Sequence, residues 1–200
     1  MVIQGRAART RGILVRAAAT EFCEVGYQGA RLSRISQLAA VSMGALTFHF
    51  PAKAALADAV EEEGLAITRD LVERLSKERD PGLEAVVGLT VGIATLLEED
   101  DVVRSAVRLA RERPGGAGRW VEVWLPAVRE QLHRAYEDGP PSRAEELRQT
   151  LADMAVYLLA GAELQVRADR EATDPVVRSP AARLERIWRL ALTGTPAERI

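Results

Sequence analysis

The chain has 200 residues, 48% of them hydrophobic and 28% charged, with 27 basic and 29 acidic side chains for a net charge of −2. Its one cysteine, Cys23, excludes an internal disulfide, and no run reaches the ~18 uninterrupted apolar residues that a membrane span requires. A length of 200 suffices for a small head and a larger body.

The charge is unevenly distributed. Residues 1–53 carry seven basic side chains (Arg6, Arg9, Arg11, Arg16, Arg31, Arg34 and Lys53) against Glu21 and Glu24, a net +5 that leaves −7 for the rest of a chain totalling −2. A basic head on an acidic body is what a DNA-binding segment joined to a sensing segment would show. Arg6, Arg9 and Arg11 either follow a DNA backbone as an N-terminal arm or belong to a disordered end. No positively charged start precedes a signal-type apolar core, so the expected location is the cytoplasm, at the nucleoid.

Thr10 is placed to cap a first helix in which Ile13, Leu14, Ala17, Ala18 and Phe22 recur at helical spacing, and Gly26 closes it as a left-handed C-terminal residue. The stretch Arg31 to Lys53, RLSRISQLAAVSMGALTFHFPAK, then has the length, turn and apolar spacing of a helix-turn-helix. Ser33 is placed to cap a short helix that buries Ile35, Leu38 and Ala39, and Ala40 and Val41 make the turn. Ser42 is placed to cap a second helix, Met43 to Phe48, with Leu46 inward and Ser42, Met43, Ala45, Thr47 and His49 outward. That outer face has small and hydrogen-bonding side chains and no carboxylate, which suits entry into the major groove. The candidate DNA contacts are Arg11, Ser33, Arg34, Ser42, Met43, Gly44, Ala45, Thr47, Phe48, His49 and Lys53.

Beyond Ala52 the chain reads as helix throughout, with Leu, Val and Ala at three- and four-residue spacing and breaks at Pro81, Pro114, Gly139 and Asp174. Six further helices are expected near Ala54 to Arg79, Gly82 to Glu98, Val102 to Arg111, Trp120 to Glu137, Ser142 to Ala168 and Ala181 to Leu192. The expected fold is all-α with about nine helices: a three-helix DNA-binding head over residues 1–53 and a ligand-binding and dimerisation body over residues 54–200. One recognition helix reads few base pairs, so useful specificity calls for a homodimer on two half-sites of double-stranded operator DNA. Leu147, Leu151, Met154, Leu158 and Ala162 mark one face of the eighth helix, and Leu184, Ile187, Trp188 and Ala191 one face of the ninth. Together they suggest a four-helix interface between copies, the alternative being burial within one chain.

The middle of the body is rich in apolar residues, Val86 and Leu89 among them, which fits either an ordinary core or a cavity. Trp120 and Trp124 share a helix face and suit a flat, mostly apolar ligand with a few oxygens, although two core tryptophans would look the same. With Tyr157 these residues make up the candidate ligand site. Cys23 reads as a small core residue. His49 and His133 lack a ligand cluster, so no metal or cofactor is expected. The run Glu61, Glu62, Glu63 reads as a solvated helix face. No catalytic constellation or phosphate-cradling loop is present, which argues against an enzyme.

The order TR, IL, AA, F, GY, I, LA, VS, G, L, HF, K, L is written here by Thr10, Arg11, Ile13, Leu14, Ala17, Ala18, Phe22, Gly26, Tyr27, Ile35, Leu38, Ala39, Val41, Ser42, Gly44, Leu46, His49, Phe50, Lys53 and Leu56. It resembles the DNA-binding domain of TetR-type transcriptional repressors. Two positions differ from the usual pattern: Thr47 followed by Phe48 replaces an aromatic directly after the helix leucine, and Ala52 replaces a capping Ser or Asn. Within that group, GALTFHFPAKAAL, a Trp ahead of a helix ending AYEDG, the Ala160 to Gln165 stretch and RLERIWRLAL look like the γ-butyrolactone autoregulator receptors of Streptomyces. The resemblance implies a repressor of antibiotic or secondary-metabolite genes that leaves DNA when a small lactone-type hormone binds, with the pocket tryptophan at Trp124 or alternatively Trp120. A pseudo-receptor of the same fold sensing an antibiotic, furan or butenolide, and a ligand-independent DNA-binding protein, are the other readings.

Overall fold

In the computed structural model, residues 2–78, 82–116, 118–137, 141–171 and 179–193 are described. Among them are nine helices and no strand: α1 (Val2–Gly29), α2 (Leu32–Leu38), α3 (Met43–His49), α4 (Lys53–Glu78), α5 (Leu83–Glu99), α6 (Asp101–Glu112), α7 (Arg119–Ala135), α8 (Pro141–Glu171) and α9 (Pro180–Thr193). The expected breaks at Pro81, Gly139 and Asp174 and the helix end at Arg79 lie outside the described residues.

The helices group into two compact units, Met1–Thr68 with Asp100–Val123, and Arg69–Glu99 with Trp124–Ile200. The expected boundary at residue 53 falls inside the first unit, because α6 packs along α1 and supplies Val102 and Leu109 to the core of the head.

In the first unit, Leu14, Val15, Ala18, Ala19 and Phe22 of α1 meet Ile35 of α2, Leu46 of α3, and Leu56, Ala57 and Val60 of α4. The buried stripe of α1 is turned from the expected one, so Ile13 stands 41% exposed while Val15 and Ala19 are covered. Helix α1 starts at Val2, well before Thr10, whose hydroxyl donates back to the Arg6 carbonyl within the helix. Thr10 is therefore no cap, and Arg6 and Arg9 sit on helix rather than on an extended arm. Gly26 has the positive φ expected of it, 71°, but with ψ at 177° it kinks α1, which runs on to Gly29, rather than closing the helix.

Ser33 also fails to cap: it lies within α2, whose N-cap residue Arg31 has no side-chain cap. The carboxylate of Glu21, buried on α1, accepts the Arg31 N–H at 3.3 Å instead, so the neighbouring helix supplies the acceptor. Leu38, expected inward, is 40% exposed at the end of α2. Ala40 turns the chain at φ 51°, and the Ser36 hydroxyl donates to the Val41 carbonyl across the turn.

In the second unit α5 packs against α8 and α9, and its face Val86, Leu89, Ile93 and Leu97 is buried. Glu98 at the end of α5 accepts hydrogen bonds from the Ser179 hydroxyl and the Ala181 N–H, which caps α9 from another element. Leu151, Leu184 and Trp188, expected between copies, are instead 8%, 2% and 0% exposed within this unit. Among the described residues of α8 and α9 the exposed large apolar side chains are Leu147, Tyr157, Leu164, Ile187 and Leu190, Ala191 is exposed too, and Met154 and Leu158 are half-buried.

Gly64 on α4 lies close against α6. A Cβ there would fall on the Ala106 side chain and 3.0 Å from the Val102 carbonyl of α6. Helix propensity alone favours Ala over Gly by about 1 kcal/mol, and the clash reverses that sign. Gly64→Ala is expected to destabilise the protein by about 1–3 kcal/mol in urea unfolding, whereas Gly12→Ala, with open space around it, stabilises by up to about 1 kcal/mol.

Candidate nucleic-acid interface

The helix-turn-helix presents α3 on a buried frame. Ser42 caps it as expected, its hydroxyl oxygen accepting the Ala45 N–H at 3.2 Å, and Leu46 is fully buried. Outward stand Ser42, Met43, Gly44, Thr47 and Phe48, with Ala45 and His49 half-buried. Phe48, on the residue pair that replaces the usual aromatic, is 83% exposed and lies edge-on to His49 with ring centroids 5.4 Å apart. From the other elements Arg11, Ser33 and Arg34 are exposed, Arg11 lying 5.1 Å over the Phe50 ring.

Lys53 behaves differently from the rest of the expected DNA contacts. Its ammonium donates to the carbonyls of Tyr27, Gln28 and Ala30 at 2.7, 3.3 and 3.1 Å and sits 4.8 Å over the Tyr27 ring. An ammonium has three protons, and all three have acceptors here. Lys53 is thus a clamp on the C-terminal end of α1 rather than a free phosphate contact. A cation at that end also complements the helix dipole.

A second clamp, missed in the sequence, comes from α6. Arg108 donates to the Cys23 carbonyl at 2.7 Å and to Glu112 at 2.7 Å, while Glu112 accepts the Tyr27 N–H at 2.6 Å. A Cβ on Gly26 would meet the tips of Glu112 and Arg108 at 2.7 and 2.8 Å and displace this clamp, while the φ of 71° itself favours glycine.

Glu61 corrects the solvated reading of its acidic run. It is 5% exposed, with one oxygen 2.5 Å from Arg113 and the other 3.1 Å from Arg119, while Glu62 remains outside. Burial works against the Arg113 charge, but hydrogen bonds to Asp58 and Glu61 outweigh it and hold the guanidinium above its ordinary range. The signal for these partners was absent locally, because Arg113 and Arg119 lie 52 and 58 residues further along.

The candidate ligand residues divide between the units. Trp120 belongs to the first, 7% exposed, and its indole N–H donates to the Thr68 hydroxyl at 3.2 Å, so that donor is spent within the protein. Trp124, Val86 and Leu89 belong to the second and are buried, while Tyr157 is 74% exposed. A 540 Å³ groove in the second unit runs between Arg129, Leu132 and His133 of α7 and Arg148, Gln149 and Ala152 of α8, and none of the candidate residues lines it. No cluster able to hold a metal ion and no helix long and apolar enough to cross a membrane occur among the described residues.

Residues 14–60 match the model of bacterial regulatory proteins of the tetR family. Over nearly its whole length the chain also superposes on the crystal structure of a γ-butyrolactone receptor described as ArpA-like, with 33% identity, TM-score 0.62, and coverage of 91% of this chain and 98% of that one. The chain belongs to the TetR family. It is a regulator and not an enzyme. This TetR-family chain is also 33% identical to the A-factor receptor protein of Streptomyces griseus over 141 residues, 70% of this chain, and the match spans about half (49%) of that receptor. CprB of Streptomyces coelicolor, solved in complex with its biological operator sequence, is 28% identical, with TM-score 0.60 and coverage of 95% and 100%. The shared fold carries the helix-turn-helix described above.

Replacing Lys53 by Met removes the donor from three carbonyls of α1 while keeping the apolar stem. The expected loss is about 1–2 kcal/mol, since water reaches part of the site, read as a lower urea midpoint.

Proposed function

We propose that the protein is a repressor that binds palindromic operator DNA as a homodimer and is released by a small γ-butyrolactone-type signal, controlling antibiotic or secondary-metabolite genes. The observation that carries the DNA half of this reading is α3: a capped helix, anchored by Leu46 and outward along its other side, within a segment of net charge +5. The likeness to the A-factor receptor and to a γ-butyrolactone receptor supports the ligand half.

The exposed apolar residues support a pairing surface shifted from the expected one. Tyr157, Gly161 and Leu164 fall at i, i+4 and i+7 of α8, and Ile187 and Leu190 at i and i+3 of α9. Apolar surface of this kind is what a second copy covers. Ligand acts by favouring the arrangement of the two heads that does not match the operator half-sites, which requires unequal affinity for the two states.

Two measurements test this. A titration at fixed salt against palindromic duplexes from upstream of the gene, repeated with a γ-butyrolactone, is expected to give tight binding that the lactone reverses. Trp124→Phe is expected to keep operator affinity and raise the lactone needed for half release about tenfold. Tight binding indifferent to lactone would instead favour a pseudo-receptor, and indifference to operator sequence would overturn repression. Placing a charge at Leu190 with Leu190→Glu is expected to convert dimer to monomer in sedimentation velocity at micromolar concentration; an unchanged dimer would move the interface elsewhere.

A further inference from the structure

Helix α3, MGALTFH, contains no Arg, Lys, Asn or Gln. Those are the side chains that make bidentate hydrogen bonds to guanine and adenine edges, so α3 cannot read bases in that way. The hydroxyls of Thr47 and of the N-cap Ser42 are partly engaged within the helix. The single proton of Thr47 is directed back to the carbonyls of Met43 and Gly44 at 3.0 and 3.1 Å, and the Ser42 oxygen already accepts the Ala45 N–H.

Beside these polar groups, the large exposed side chains of α3, Met43 and Phe48, are apolar. Phe48 is 83% exposed, its edge-on packing against His49 orienting the ring without covering it. One turn back on the same face is Gly44, where a Cβ would have nothing within 4 Å, so the backbone beside the ring is open to close approach. On a base-pair edge the one feature that an apolar group recognises is the 5-methyl of thymine.

We propose that α3 reads its operator through thymine methyl groups, with Phe48 as the specificity-determining residue and Gly44 clearing the approach. This rests on the reading of α3 as the helix that enters the major groove. Phosphate contacts from exposed Arg34 and Ser33 position the head, and the phenyl ring selects sequence.

The test uses the full chain and the palindromic duplex it selects from a random library, with affinity measured by fluorescence anisotropy at constant salt. Each half-site thymine is replaced in turn by deoxyuridine, which removes only the methyl group. At one or more positions per half-site the replacement is expected to weaken wild-type binding about fourfold, the value of one buried methyl-sized group. Phe48→Ala, at a site too exposed to threaten folding, is expected to bind both duplexes alike, and Phe48→Leu to recover the preference. Tight operator binding unaffected by every replacement, a selected half-site without thymine, or full uridine sensitivity in Phe48→Ala would each overturn methyl readout while leaving the repressor reading intact. Failure to select any duplex over random DNA would overturn both.

Discussion

Five carbonyls near the end of α1 meet two cations, and the head is built around that meeting. A helix terminus leaves acceptors that water must otherwise satisfy, and here Lys53 from the start of α4 and Arg108 from α6 take them. The contacts span 23 to 26 residues for Lys53 and 85 for Arg108, so they tie the helix-turn-helix to segments remote in sequence. Gly26 makes this geometry possible, since a side chain there would occupy the space that Glu112 needs to reach the Tyr27 N–H. Glu61 extends the same polar frame to Arg113 and Arg119. A charge so far removed from water is tolerated because two guanidinium groups share its carboxylate.

Several short-range patterns were legible where a residue's environment is set by its own helix, although Thr10, Ile13 and Leu38 were misplaced. The Ser42 cap, the inward Leu46, the outward Met43 and Thr47 and the positive φ of Gly26 follow from spacing and residue chemistry alone. Where a neighbouring element intervenes, local reading failed. Ser33 was placed to cap α2, but Glu21 delivers a carboxylate from α1. Glu61 looked solvated beside Glu62 and Glu63, since nothing nearby in sequence announces Arg113.

Amphipathic faces raised a related ambiguity. An apolar stripe states that something covers it, not what. Leu151, Leu184 and Trp188 are covered by their own unit, and the residues left uncovered, Tyr157, Leu164 and Leu190, lie a fraction of a turn away on the same helices. Lys53 carried the same uncertainty in polar form: a cation just after a helix-turn-helix suggests phosphate, yet its protons are used on carbonyls.

The composition of α3 bears on how ionic strength acts on the head. Affinity that comes from displacing counterions falls steeply as salt rises, and it comes from lysine and arginine. Helix α3 has no Lys, Arg, Asp or Glu, so its interactions release few ions, while Arg11, Arg16, Arg31 and Arg34 sit on other elements. If α3 reads the operator as proposed, occupancy of DNA and choice among sequences fall to different side chains. On that proposal a rise in cellular salt would loosen the grip everywhere on the chromosome by a similar factor and leave the ranking of sites unchanged.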